Sequence, residues 1–428
     1  MRLYAATLTG RAEDERLGAA ALALLDQAPD GVVAVTRESR TRRALLLYNL
    51  GAFETSRQQY DAAGPHLGAA LVEAGLLGLP YLELSCAAQL LEHDLVAGRL
   101  NAANARGGEI LTAARERGWG SYHGLTTAHI ILAAVALLRD DLTAALDHAA
   151  EAERIARPID HLNRSRISLL RAVALCGTGR PRDAELELDR LRRRAGTWEL
   201  PAWVATMVEV VAAWLEACHG DPGSGLRRLE AAGIEIGGSL PFDALTADLL
   251  LCAGRAGECH DLLDPWIKKE GRGPVALLAR VVVALADEEL GRHGDALDGL
   301  DSVLGVAASE GLVTPMLVPG PRVRPLLDDL IQRGTPHEAA ALEVLVHMAG
   351  HAGDGPTMAD APYYVEPLSE RELEVLQLLQ GTGTNQEVAT RLFISTNTLR
   401  SHMKSINRKL AATSRRDAVR RARELRIL

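Results

Sequence analysis

A short helical pattern built on small side chains returns again and again along the first 300 residues, and its spacing limits what the chain can fold into. The anchors are Ala63, Ala103, Ala145, Ala184, Gly225, Cys259 and Ala296, separated by 40, 42, 39, 41, 34 and 37 residues. The clearest copies read DAAGPHLGAAL, NAANARGGEIL, LTAALDHAAEA, DAELELDRL and GDALDGLDSVL; those around Gly225 and Cys259 are weaker. Before each lies a turn such as AGR, TGRPR, HGDPG or GRHG, and before that another apolar helix. A period near 40 with two helices per unit is the signature of an α-solenoid. One hairpin cannot bury its apolar face alone, so successive hairpins stack, and small residues at the pivots let helices approach closely. Ala and Leu, both strong helix formers, dominate a composition that is 47% apolar, 24% charged and only 4% aromatic. The expected fold is all-α, with an elongated array in which repeats contact mainly their neighbours.

The pattern stops near Met348. The next stretch, AGHAGDGPTMADAPYYVEP, has turn formers, three prolines and no periodicity. Residues 351–366 therefore read as a linker between an array at 1–350 and a terminal domain at 367–428. Charge changes sign across it: residues 1–368 carry 35 basic and 50 acidic side chains, and residues 369–428 carry 12 and 6. A basic end on a net acidic chain suggests a polyanion as partner.

The terminal segment has a four-helix pattern. Ser369 and Glu372 form a capping box before an apolar face of Leu373, Leu376 and Leu379, which Gly381 ends. Asn385 is placed to cap a short helix with Val388, Ala389 and Leu392. Ser395 caps a third helix, expected to run to Leu410, in which Leu399, Met403, Ile406 and Leu410 fall within about 60° of one another at helical spacing. Opposite them lie Ser401, Lys404 and Arg408, with Arg400 alongside. Taken singly, Lys404 and Arg408 would be ordinary solvated surface. As the outer face of the second helix in a helix-turn-helix they suit the major groove, where Arg and Lys donate to guanine edges. Thr396, Asn397 and Thr398 offer hydroxyls and free N–H groups to a phosphate at the helix N-terminus. A fourth helix opens with the capping box Ser414/Asp417 and carries Ala418, Val419, Ala422 and Leu425. Arg415 and Arg416 in its first turn oppose the helix dipole, which a nearby anion would explain.

The stretches LSERELEVLQLL, TNQEVATRLFIS, NTLRSHMKSINRKL and SRRDAV resemble the LuxR-type DNA-binding domain of bacterial transcription factors. That resemblance implies base contacts from Arg400, Ser401 and Lys404 and phosphate contacts from Thr398, Lys409 and Arg415. It further implies a homodimer joined through the fourth helix, and RNA polymerase as a partner. Leu399 stands where the family usually has valine, and Asn407 where it usually has an aromatic residue. The array is similar to tetratricopeptide-type repeats with longer units. The segment EGLVTPMLVPGPRVRPLLDDLIQRG from Glu310 resembles the end of the repeat region in large MalT-like activators. Those activators carry a nucleotide-binding domain before the repeats. No GxxxxGK[ST] occurs here, so none is expected in this chain.

The remaining chemistry is excluded piece by piece. The five cysteines are scattered, and Cys252, Cys259 and His260 sit at helical spacing among apolar residues, which fits packing better than a metal. No nucleophile–base set or acid pair stands at useful spacing, and the run Asp287-Glu288-Glu289 reads as solvated helix surface. No enzyme activity, cofactor or metal is expected. The most apolar stretch, HIILAAVALL from His129, is too short to span a bilayer. The expected protein is a cytoplasmic bacterial DNA-binding regulator, on the nucleoid when bound to double-stranded DNA, whose array receives a peptide, protein or small-molecule effector. The competing expectation is a helical scaffold with vestigial DNA binding.

Overall fold

The computed structural model describes residues 36–195, 202–218, 222–234, 236–269 and 271–351, with Ala20 and Ala23 before them. At the C-terminal end it describes 370–380, 385–392 and single positions between 394 and 419. Among the described residues there is helix and no strand. Seven antiparallel hairpins follow one another: α1 (Arg37–Ser56) with α2 (Tyr60–Leu77), α3 (Pro80–Val96) with α4 (Leu100–Glu116), and α5 (Thr126–Leu138) with α6 (Leu142–Ile155). Then come α7 (His161–Gly177) with α8 (Pro181–Ala195), and α9 (Ala202–Cys218) with α10 (Pro222–Ala231). The last two pairs are α11 (Leu240–Cys252) with α12 (Ala256–Ile267) and α13 (Pro274–Glu289) with α14 (His293–Glu310). A tail of α15 (Thr314–Leu317), a 3-10 turn at Gly320–Val323, α16 (Arg324–Arg333) and α17 (Glu338–His351) ends the array. The linker expected at 351–366 lies outside the described residues, apart from His351 at the end of α17.

Every sequence anchor falls on the fourth residue of the second helix of its hairpin, and all seven are buried. A side chain no larger than that of cysteine at this position lets the two helices touch. At Gly225 even a Cβ would lie 2.5 Å from the carbonyl oxygen of Ala213. One turn later Leu67, Gly107, Ala149, Leu188, Leu229, Leu263 and Leu300 are buried on the same side. The turns repeat as faithfully. Five residues before each anchor the backbone is left-handed, at Gln58, Gly98, Asp140, Gly179, Gly254 and Gly291, with φ between 61° and 79°; the seventh such position, Gly220, lies outside the described residues. The following N–H then reaches back to the last turn of the first helix at 2.8–2.9 Å, as in Arg99 to Asp94 and Arg180 to Leu175. This is the Schellman ending, for which glycine is the usual residue. Helix starts are equally local: Asp141 and Asp160 cap α6 and α7, and proline opens α3, α8, α10 and α13.

The first helices pack side by side in one row from α1 to α13, and each second helix fills the groove between its own partner and the next first helix. The row curves until distant hairpins meet. Asn101 of α4 donates its N–H to Glu310 Oε2 (2.7 Å) and its amide to the Ser309 carbonyl (2.9 Å). Arg139 bonds Asn101 and the Glu310 carbonyl, Val313 N–H reaches Leu138, Thr314 reaches Leu137, and His347 pairs with Asp140 at 2.7 Å. Gly98 and Gly273 bring two loops into backbone contact. Trp203 Nε1 of the fifth hairpin donates to the Ser56 carbonyl of the first. A single apolar cluster accordingly joins α3–α5 to α11–α14 and the tail, while α7–α9 have their own. Repeats in this array do not contact neighbours alone, as a purely local packing rule would have it. Its coil closes.

Two readings of polar residues are settled by burial. Of the run expected on a solvated face, Glu288 and Glu289 are exposed, but Asp287 is buried, with Arg292 Nη1 3.3 Å and His260 Nε2 3.7 Å away. The Asp287 carboxylate is turned back onto the following turn. Cys259 is fully buried and Cys252 half-buried, and burial pushes both thiols up to about 12. Among the described residues no three metal-binding side chains gather, and no helix is long and apolar enough to cross a membrane.

A histidine pair makes the third hairpin sensitive to acid. His129 of α5 and His148 of α6 face each other with their Nδ1 atoms 3.1 Å apart, a geometry that one shared proton satisfies and two do not. Burial, then the neighbouring His148, lowers His129 to about 4; burial also lowers His148, against Asp147, Asp141 and Glu151. A histidine ordinarily titrates near about 6.5, so between that pH and 4 the unfolded chain holds more protons than the folded one. Stability should be constant above that window and fall as pH drops through it. Urea midpoints at pH 7.5 and 5 should show this decline, and a His129→Gln/His148→Gln variant should lessen it, leaving the share of His93, His123 and His161, which burial also lowers. An equal decline in the variant would assign it elsewhere.

Candidate nucleic-acid interface

The terminal segment has a core of its own. From α18 (Glu370–Leu379) come Val375, Leu376 and Leu379, and α19 (Asn385–Arg391) with the residue after it supplies Val388, Ala389 and Leu392. Leu399, Ile406 and Ala418 complete it, with Leu373, Leu378, Ile394, Met403 and Val419 half-buried around them. All four sequence-predicted helices therefore place apolar side chains in one cluster. The expected stripe of the third helix is present as Leu399 and Ile406, both fully buried, and Met403 at its margin; Leu410 lies outside the described residues. His402 is half-buried and helical, which suits a packing or orienting role. Asn385, expected as a cap, is the first residue of its helix.

The end of the short helix is held by hydrogen bonds that sequence patterning did not show. Leu392 N–H returns to Val388 and Ile394 N–H to Ala389, closing the last turn before the third helix. Arg371 of α18 donates Nη2 to the Leu392 carbonyl at 2.6 Å and Nη1 to Glu374 at 2.6 Å. One guanidinium thus ties the first helix to the bend on which the angle of a helix-turn-helix depends. An arginine three residues before a glutamate would ordinarily be read as a surface pair, so nothing in the sequence marked it. Glu372, the second half of the capping box, is buried.

Thr396, Asn397, Thr398, Arg400, Ser401, Lys404, Arg408, Lys409, Arg415 and Arg416, the expected DNA-contacting residues, lie outside the described residues, as does Ser369. What is described is the inner side of their scaffold.

Residues 366–422 match the family described as bacterial regulatory proteins, luxR family. Over 154 residues the chain is 26% identical to the HTH-type transcriptional regulator MalT of Klebsiella pneumoniae (strain 342). That similarity spans 32% of this chain and 17% of the relative. The terminal domain is thus a luxR-family helix-turn-helix domain, at the end of an all-helical repeat array.

Proposed function

We propose that the chain is a sequence-specific transcription regulator of the bacterial cytoplasm. Residues 367–428 bind duplex DNA as a homodimer and engage RNA polymerase, and the array at 1–350 receives an effector. The observation that carries this reading is the apolar core shared by all four terminal helices, within a segment that matches the luxR family. Leu399 and Ile406 are turned inward, which supports reading Ser401, Lys404 and Arg408, at about 100° per residue, as the opposite side. Arg400 and Lys404 then reach base edges without unpacking the core. Thr396, Asn397, Thr398, Lys409, Arg415 and Arg416 serve the phosphates.

Gel shifts of Lys404→Ala and Arg415→Ala on specific and scrambled duplexes, at several salt concentrations, test it. Losing the base contact should cost about 1–3 kcal/mol on the specific duplex and relax the preference at one base pair. Losing the phosphate contact should weaken all sequences alike and lower the salt slope by about one. If both variants keep wild-type affinity and specificity, the basic face is plain surface. The large array would then favour a scaffold.

A further inference from the structure

The helix that ends the array is apolar on its outward side. α17 buries Ala340, Ala341, Val344 and Met348 against α14, α15 and α16, and turns Ala339, Leu342, Val346 and Ala349 outward. These last four fall within about 80° of one another at helical spacing. Leu342 is 46% and Val346 70% exposed. His347, held by Asp140 at 2.7 Å, fixes which side of the helix faces away. Other helices of the array turn polar residues outward, as with Asn104, Glu109 and Thr112 on α4 and Asp295, Asp298 and Ser302 on α14. The end of a solenoid needs a polar outer face above all, because no further repeat covers it. This end lacks one.

The order of side chains on this face is the same in both directions. About Val344 as centre, Leu342 and Val346 stand two residues away, and Ala339 and Ala349 five. An antiparallel two-fold pairing sets Leu342 against the partner's Val346 and Ala339 against the partner's Ala349. It also sets Glu343 opposite Leu345 and Glu338 opposite Gly350, so no like charges meet. A parallel pairing would place each glutamate on its own copy, which is repulsive. The exposed row on α2 lacks this symmetry, with small Ala62, Pro65 and Ala69 followed by larger Val72 and Leu76. Chain length fits the same occupant. Seven residues separate Val344 from His351, so the ends of two paired helices lie about 21 Å apart along the axis. Residues 352–369 lead on to α18, and a chain of that length reaches at most about 60 Å. Two terminal domains can therefore stand on half-sites about 34–36 Å apart.

We infer that α17 is a dimer contact of the array, pairing antiparallel with α17 of a second copy of this chain. A single helix of 14 residues buries less than the roughly 1,200 Å² of a stable interface, so the contact is weak alone and adds to that of the terminal domains. The inference deepens the reading of the chain as a homodimer on DNA, and its purpose rests on that reading.

Sedimentation of the full chain without DNA, over a wide range of concentration, tests it. The wild type should pass from monomer to dimer as concentration rises. Val346→Glu should weaken that association about tenfold or more, since it brings a carboxylate from each copy into the contact. Its melting temperature in dilute solution should stay at the wild-type value, because Val346 is largely exposed. Val72→Glu on α2 is the control and should associate as the wild type does. Orientation is read by disulfide formation: mixed Leu342→Cys and Val346→Cys chains should cross-link under oxidation more readily than either variant alone. A monomer at every concentration, unchanged association in Val346→Glu, an equal loss in Val72→Glu, or no preference for the mixed cross-link overturns the inference. Lys404→Ala, which tests the DNA-binding reading by gel shift, should leave association off DNA unchanged, so either reading can fail while the other stands.

Discussion

Replacing Arg322 by alanine is expected to remove about 3–5 kcal/mol of the array's unfolding free energy, the cost of leaving a buried charge without its partner. Arg322 lies in the 3-10 turn of the tail and pairs with Asp248 of α11, a carboxylate only 2% exposed. Burial pushes the Asp248 carboxyl up, and Arg322 and Trp214 offset this only in part. The pH signature follows from that direction. An acid with a raised folded pKa takes up its proton in the fold before the unfolded chain does, so the penalty grows as pH rises and eases as pH falls. Urea unfolding should show a large deficit at pH 7.5 and a smaller one at pH 5. Replacing both partners together, as Arg322→Met/Asp248→Leu, should leave stability close to wild type, because no unpaired charge remains. A deficit below about 1 kcal/mol for Arg322→Ala at both pH values would mean that the pair adds nothing to the seating of the tail.

Gly273→Ala should part the coil where it closes. A Cβ there would stand 2.2 Å from the Val96 carbonyl oxygen, and across the same contact a Cβ on Gly98 would stand 2.5 Å from the Arg272 carbonyl. Both obstacles are backbone and cannot swing aside as a side chain would. Overpacking of this kind costs about 1–3 kcal/mol or separates the surfaces. Small-angle scattering should show a larger radius of gyration, with helix content by circular dichroism unchanged. Gly294→Ala in α14 is the control: nothing lies within 4 Å of its Cβ position, and it should gain up to about 1 kcal/mol from helix propensity. An unchanged radius in Gly273→Ala, together with wild-type stability, would show that the contact is slack.

What could be read from the sequence was whatever repeats. Ala63, Ala103 and their counterparts are legible because close helix contact demands a small side chain at one position per hairpin, and the left-handed turn before each demands a glycine or a tolerant substitute. Asp140 shows the limit. It occupies that turn position without being glycine, and its carboxylate holds His347 from 207 residues away. Contacts such as Asn101 with Glu310 have no period, so no pattern announces them. In the terminal domain Leu376, Leu379, Leu399 and Ala418 were legible as one face of each helix. Val375, fully buried beside Leu376, was not, because the first helix buries a broader arc than the three-residue step of Leu373, Leu376 and Leu379 describes. Arg371 escaped for a different reason: its partner is a backbone carbonyl, which every residue has.

Coil closure also sets a timetable for synthesis. The surfaces of α3–α5 that meet residues 309–347 are made some 200 residues before their partners. At bacterial translation rates of about 5–20 residues per second, that gap is on the order of ten seconds or more. During it the early hairpins carry apolar flanks with no partner on the ribosome-bound chain, and the seam is the last part of the array to form. Aggregation risk in this protein is therefore concentrated in a waiting period, and codons that slow the ribosome between residues 116 and 310 would lengthen that exposure without altering a single side chain.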